Sequence, residues 1–319
     1  MKTPPRLAIV VPCYNEQEVF LSTERQLREL LRKMESEGLV SPESFIVYVD
    51  DGSRDDTWNL IARASEEHPG IDRGIKLGHN AGHQNALLAG LEAVKDISDA
   101  SVTIDADLQD DIEAIPKMVK DYLQGSEIVF GVRSSRDTDS WFKRKSAGAF
   151  YKTMKGLGVE SVSNHADFRL MSSRAVEELL RYGETNIFLR GIVPRIGLRQ
   201  SQVAYERKVR EAGESKYPLR KMVNFAVEGI TSFSIKPVRM VFSLGVLFLI
   251  IAAAIFIYTM YRYFTHETIE GWTSLMLSVW FCTGILLMAL GIIGEYVGKI
   301  YLEVKDRPRY VVENLKGFE

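Results

Sequence analysis

Apolar and polar positions follow two different patterns along this chain. Over roughly the first 130 residues, short apolar runs alternate with longer stretches whose apolar positions recur every three or four residues. Leu7–Val11, Phe45–Val49, Gly74–Leu77, Ser101–Ile104 and Glu127–Val132 read as strands. Glu16–Glu37, Thr57–Glu66, Gly82–Val94 and Asp111–Gln124 read as the helices between them. Regular alternation of this kind predicts an α/β fold, a mostly parallel sheet covered by helices on both faces. Such sheets bind ligands beyond the carboxyl ends of their strands.

From Trp141 the rhythm loosens. Lys143–Lys155 and Pro218–Ser234 mix basic, apolar and aromatic residues, which suits helices lying in the headgroup plane of a membrane. For Lys143–Lys155 an ordinary surface helix packed on the sheet is the lesser alternative. Met240–Tyr261 and Trp272–Gly294 then form two charge-free apolar stretches, each long enough to cross roughly 30 Å of hydrocarbon. The short loop Arg262–Gly271 joins them. Lys216, Arg220, Lys221, Lys236 and Arg239 precede the pair, and Lys299, Lys305, Arg307 and Arg309 follow it. This bias puts both chain ends in the cytoplasm, with a two-pass anchor between. The expected division is a cytoplasmic domain over 1–215 and an interfacial helix over 216–239. A transmembrane hairpin over 240–300 (spans 240–261 and 272–294) and a cytoplasmic tail over 301–319 complete it. Gly284, Gly291 and Gly294 would let the hairpin pack against copies of itself, so a homo-oligomer is one expectation.

Composition narrows the classes. With 319 residues, 46% hydrophobic, 26% charged and a formal charge of −2, nothing points to nucleic-acid binding. Cys13 follows a strand and Cys282 lies in an apolar run, so neither a disulfide framework nor a cysteine metal site is expected. Met1–Arg6 is short and polar and leads directly into a strand, unlike a secretory signal.

The chemistry gathers at four successive strand ends. Pro12-Cys13-Tyr14-Asn15-Glu16 follows the first strand and opens a helix, where backbone N–H groups favour polar or anionic ligands. Val49-Asp50-Asp51-Gly52-Ser53, with Arg54-Asp55-Asp56-Thr57, ends the second. Its carboxylates could hold the imide and ribose of a nucleotide, or simply cap the next helix from Asp55 or Asp56. His79-Asn80-Ala81-Gly82-His83-Gln84-Asn85-Ala86 follows the third; its histidines read as polar lining or surface groups. Ile104-Asp105-Ala106-Asp107-Leu108-Gln109-Asp110 is the sharpest, because Asp-x-Asp at a strand end offers hard oxygen ligands suited to Mg²⁺ or Mn²⁺ on a diphosphate.

PCYNE, VDDGSRDDT, NAGHQNA and DADLQD, in this order, resemble a family-2 glycosyltransferase of the Rossmann-like GT-A fold. Nearest in pattern are the polyprenyl-phosphate glycosyltransferases, the group of dolichol-phosphate mannose synthase and bactoprenol glucosyltransferase. The resemblance extends to Asp167-Phe168-Arg169-Leu170, to Gly213-Glu214-Ser215-Lys216-Tyr217 and to the hairpin. It implies that Pro12, Tyr14, Glu16 and Asp51 contact the nucleoside, and that Asp105 and Asp107, with Gln109, hold a metal and the diphosphate. It implies a carboxylate near the acceptor at Asp167, and phosphate contacts from Arg133, Arg169, Arg207 and Lys216.

The implied reaction is inverting transfer of a hexose, with UDP-glucose the favoured donor, onto polyprenyl phosphate at the inner bacterial membrane. The acceptor phosphate has a second pKa of about 6 and is already nucleophilic, so Asp167 need only orient it. A processive polysaccharide synthase would need a QxxRW-like motif and more spans than two. A membrane-anchored nucleotide-binding protein without chemistry would not need Asp105, Asp107 and Asp167 together.

Overall fold

In β1 (Leu7–Cys13) and β2 (Phe45–Asp50) every residue is buried, as in strands covered on both faces. The computed structural model describes residues 3–133, 165–184, 187–206 and 271–318, with single positions between 238 and 261. The sequence-predicted alternation is present. After β1 come α1 (Phe20–Ser36), β2, α2 (Thr57–Glu67), β3 (Asp72–Leu77), α3 (His83–Val94) and β4 (Ala100–Thr103). A 3₁₀ turn at Ile112–Ala114 leads into α4 (Ile115–Leu123) and β5 (Ile128–Arg133).

Four elements were not read from the sequence and complete this unit around the site. They are β6 (His165–Ser172), α5 (Ser173–Leu180), α6 (Leu189–Ile192) and β7 (Gln200–Tyr205). The sheet has eight strands in the order β7-β5-β6-β4-β1-β2-β3-β8, where β8 is Val312–Lys316. β1 runs parallel to β2 and β4, and β2 parallel to β3, whereas β6 is antiparallel to β4 and β5. Strand order therefore reverses beside β1. The loops after β1 and β4 diverge there, which opens a crevice at the carboxyl edge.

α1 closes one face of the sheet with Phe20, Leu27, Leu30, Leu31 and Met34, all buried. The Phe20 ring meets Tyr48 of β2 edge-on at 4.9 Å. Each such side chain stabilises the fold by roughly 1.5–3 kcal/mol relative to exposure. α3 lies so close to the sheet that a Cβ on Gly90 would come 2.3 Å from Val10 Cγ1. Glycine is what allows that approach.

β8 lies within the stretch expected to be a cytoplasmic tail. It pairs antiparallel with β3 and ends the sheet, tied by Lys76 to Glu313 at 2.8 Å and Lys316 to Glu66 at 3.1 Å. The compact unit that holds the sheet comprises 1–151, 161–216 and 307–319, and a second unit comprises 152–160 and 217–306. In the second unit α7 (Trp272–Val304) is a single helix of 33 residues, extending past the expected end at Gly294. Its segment Phe281–Val304, with mean hydropathy 1.7 and none of it buried, is long and apolar enough to cross a membrane. It is the one such helix among the described residues. The described positions between Val238 and Tyr261 are helical as well. The amphipathic stretches Lys143–Lys155 and Pro218–Ser234, and the phosphate-contact expectations at Arg207 and Lys216, lie outside the described residues.

Candidate active site

The loops at the carboxyl ends of β1, β2 and β3 are braced to one another by side chains. The Asn15 backbone N–H donates to the Ser53 hydroxyl oxygen (3.0 Å), and its own Oδ1 accepts from Arg54 N (2.9 Å). Asp55 accepts from Gln17 N through one oxygen and from the Thr57 backbone and hydroxyl through the other, capping α2. Asp51 reaches across to the third loop, accepting from Ala81 N at 2.6 Å and Gly82 N at 3.0 Å. Burial raises the Asp51 carboxyl above its ordinary value, and the two backbone donors pull it part of the way back. Gly52 makes this junction sterically feasible: its φ is +67°, and a Cβ there would lie 2.6 Å from Asn80 N.

These loops, with the end of β4, enclose a cavity of about 290 Å³. Its wall includes Pro12, Tyr14, Glu16, Asp51, Asp105 and Asp107, together with Asn80 and His83. Six of the expected nucleotide and metal residues thus come together from three separate loops. Asp107 is held by Gln109, whose backbone N donates at 3.3 Å and whose Nε2 donates at 2.5 Å. The Gln109 amide nitrogen thus faces the carboxylate and orients it.

Asp167 arrives from the antiparallel strand. β4 and β6 run in opposite directions with Thr103 opposite Arg169, so the start of β6 lies beside the end of β4. Thr103 Oγ1 donates to the Asp167 carbonyl at 2.5 Å. His83 Nε2 stands between the two acids, 3.5 Å from Asp105 Oδ1 and 3.7 Å from Asp167 Oδ2. Asp167 Oδ1 accepts from Arg169 Nη2, and its Oδ2 accepts from Arg190 Nε and Nη2 at 3.2 and 2.9 Å. Burial alone would raise this carboxyl, but the Arg169 and Arg190 charges hold it well below the usual carboxylate range. Asp105 has no such partner. Lost hydration raises it most, His83 draws it back, and Asp167, Asp110 and Asp107 raise it again, to about 6. Its side chain keeps 47% of its surface open to the cavity, so water offsets part of that rise.

Two expected phosphate contacts are placed elsewhere. Arg169 is only 2% exposed and serves as the buried counter-ion of Asp167, with Nη1 also 3.5 Å from the Leu189 carbonyl. Arg133 donates to Asp110 Oδ1 at 3.2 Å and to the Tyr205 hydroxyl at 3.3 Å, and Tyr205 donates to the same Asp110 oxygen at 2.7 Å. A guanidinium committed to a carboxylate and a phenol stabilises the β5–β7 edge of the sheet. Arg190, by contrast, lies at the site with 41% of its side chain exposed. Sequence reading missed it because its partner is 23 residues away, and only the fold places α6 beside the start of β6.

A mixed, mainly parallel sheet of this topology, with acidic strand ends converging on a nucleotide-sized cavity, is a GT-A-type glycosyltransferase fold. The chain belongs to glycosyltransferase family 2, whose profile, Glycosyl transferase family 2, matches residues 8–180. It is 50% identical to the uncharacterized glycosyltransferase YkoT of Bacillus subtilis, over 98% of this chain and 92% of that protein. It is 36% identical to the bactoprenol glucosyl transferase of Shigella phage SfX, over 98% of this chain and the whole of that one. The prophage bactoprenol glucosyl transferase homolog of Escherichia coli K12 is also 36% identical, over 98% and 99% of the two chains. Enzymes of this fold commonly use a divalent metal. Asp105 and Asp107, both lining the cavity, are hard oxygen donors that fit one.

Proposed function

We propose that this glycosyltransferase moves a hexose from a nucleotide-sugar, UDP-glucose in the first instance, onto polyprenyl phosphate at the cytoplasmic face of a bacterial membrane. One observation carries the reading: the acid pair Asp105/Asp107 and the Asp167–Arg190 pair meet at one site, bridged by His83. The first pair suits a donor diphosphate, and the second suits an acceptor phosphate. Near full-length similarity to proteins named bactoprenol glucosyl transferase supports the lipid acceptor. The exposed apolar face of α7 supports membrane attachment. The two-pass anchor, with spans 240–261 and 272–294 behind a cytoplasmic domain 1–215 and an interfacial helix 216–239, belongs to the same proposal.

In this reading Pro12, Tyr14, Glu16 and Asp51 contact the nucleoside. Mg²⁺ or Mn²⁺ bound at Asp105 and Asp107 would neutralise charge on the departing nucleoside diphosphate. Arg190, with Arg207 and Lys216, receives the acceptor phosphate, since a guanidinium fork matches its geometry. The phosphate oxygen attacks the anomeric carbon as the bond to the donor diphosphate breaks, and the configuration inverts. No proton has to be removed, because the phosphate monoester is already largely dianionic. Asp167, fixed as a carboxylate, orients Arg190 and His83 rather than acting as a base.

The test is transfer of radiolabelled sugar by the purified full-length chain to undecaprenyl phosphate, with UDP-glucose, UDP-N-acetylglucosamine and GDP-mannose compared. A β-linked glucosyl lipid from UDP-glucose is expected. Label that stays in water with every donor would overturn the acceptor, and a product retaining the donor's configuration would overturn the mechanism.

A further inference from the structure

Beneath α1, away from the cavity, the Tyr48 hydroxyl and both Asp72 carboxylate oxygens are buried with no hydrogen-bond partner, beside an ion pair between Glu24 Oε1 and Arg28 Nη1. They form one cluster. Arg28 Nη1 lies 2.6 Å from Glu24 Oε1 and 4.0 Å from Asp72 Oδ2, and His68 Nε2 lies 3.7 Å from Glu24 Oε1. Asp72 opens β3 opposite Ile46, and Tyr48 stands opposite Gly74, so Asp72 and Tyr48 share one face of the sheet. Both are wholly inaccessible. One ligand atom each from Glu24, His68 and Asp72 fall within 4.8 Å of one another. A buried carboxylate is strongly disfavoured unless well partnered, and this one lies against the Glu24 carboxyl with its nearest guanidinium, that of Arg28, 4.0 Å away.

We propose that Glu24, His68 and Asp72 form a second divalent-cation site, separate from Asp105 and Asp107, which clips α1 to the α2–β3 connection. Two carboxylate oxygens and an imidazole nitrogen suit a borderline ion of the zinc type, whereas Mg²⁺ demands an octahedron of oxygens. Arg28 stays on Glu24 as the outer partner that orients a ligating carboxylate, and the Tyr48 hydroxyl lies on the Asp72 face to serve its second oxygen. Charge permits this. Two carboxylates and one guanidinium leave a single negative charge, and a divalent ion changes its sign without increasing its size. A proton is the rival occupant. Burial first, then the Glu24 charge, pushes the Asp72 carboxyl up to about 7. The site is not chemistry for the transfer reaction, since it uses no residue of the cavity.

The experiment uses untagged full-length protein in detergent carrying Asp107→Ala, which removes one of the cavity's two metal ligands and weakens competition from that site. After exposure to Zn²⁺ at pH 7.5 and gel filtration, about one equivalent of ion per chain is expected to stay bound. Adding His68→Ala should weaken that binding more than about a hundredfold, beyond the loss of an outer partner. Co²⁺ in place of Zn²⁺ should show a visible ligand-field band that the His68 variant shifts or loses. Glu24→Gln, which keeps the shape of the cluster, should weaken binding in parallel and guards against a folding defect in the first variant. Absence of retained ion in the Asp107→Ala protein overturns the site and leaves a proton as occupant. Equal retention with an unchanged Co²⁺ band after His68→Ala overturns it too.

Discussion

Arg190 grips Asp167 Oδ2 from two of its nitrogens, Nε at 3.2 Å and Nη2 at 2.9 Å, while Arg169 occupies the other oxygen from inside the protein. The carboxylate separates two arginines with different duties. The inner one is sealed against water; the outer one reaches the site. Replacing Arg190 by Ala should lower kcat/KM for the lipid phosphate about 10- to 100-fold, the worth of lost charged hydrogen bonds of about 1.5–3 kcal/mol. The KM for nucleotide-sugar should change little. Steady-state kinetics with each substrate varied in turn make the comparison, and an equal loss for both would remove Arg190 from the acceptor side.

Asp167→Asn strands the Arg169 charge in the interior. The expected destabilisation at neutral pH is about 3–5 kcal/mol, because an unpaired buried ion remains. The carboxyl is held below its unfolded value of about 3.9, so its stabilisation is present above that pH and fades as pH falls through the lower folded value. Denaturant unfolding should therefore show the wild type and variant far apart at pH 7 and converging in strong acid. Adding Arg169→Met to the variant should restore part of the loss.

Asp107→Ala should reduce transfer by at least about a hundredfold at saturating Mn²⁺, since charge stabilisation of several kcal/mol is lost with a metal ligand. Chelation should silence the wild-type enzyme, and Mg²⁺ or Mn²⁺ should restore it. Folding should be unaffected, as judged by circular dichroism. Near-normal turnover in the variant would remove Asp107 from the metal site.

Asp72 gives a pH dependence of the opposite sign. Glu24, Arg28 and Arg32 face it from α1, His68 from the α2–β3 connection and Tyr48 from β2, and its carboxyl is raised to about 7. The folded protein then holds a proton that the unfolded chain releases above about 3.9. Stability should be fullest in mild acid and decline as pH rises from about 4 to about 7. Measured in chelator, Asp72→Asn should flatten that slope; an unchanged slope would assign it to other groups.

Gly52→Ala tests the bracing of the loops. A methyl group at φ +67° and 2.6 Å from Asn80 N must push the β3–α3 loop away from Asp51. A stability loss of about 1–3 kcal/mol is expected from the strained backbone, with weaker nucleotide binding in calorimetry. Unaltered nucleotide affinity would show that the loop position does not matter to the donor.

The N-terminal part of this fold, β1 to β5, was legible because its signals are local. Most of the strands from β1 to β5 are apolar runs beside a polar strand end, and the Asp105/Asp107 pair stands where such a strand stops. Side-chain partnership was not legible. Arg169 and Arg190 share the Asp167 carboxylate, one from two residues and the other from 23 residues away, yet one is buried by β6 and the other is left outside by α6. His83 read as surface lining until β6 placed Asp167 beside Asp105. Nor did the sequence announce that Asp51, beside lining the cavity, accepts from two backbone donors of a loop thirty residues on. Val312–Lys316 carries too few apolar residues to announce a strand; β3 recruits it from 240 residues away through backbone hydrogen bonds that sequence pattern does not encode.

That recruitment sets a timetable for biosynthesis. The strand that finishes the sheet is encoded after α7, so the ribosome releases the whole apolar helix before the last edge of the catalytic unit exists. Until then β3 presents an unpaired edge, the kind of surface on which chains aggregate. A shortened soluble version ending before residue 307 would keep that edge open permanently. Excising 217–306 and rejoining the flanks would preserve the closing strand, so the two deletions separate loss of the apolar helix from loss of the sheet's margin.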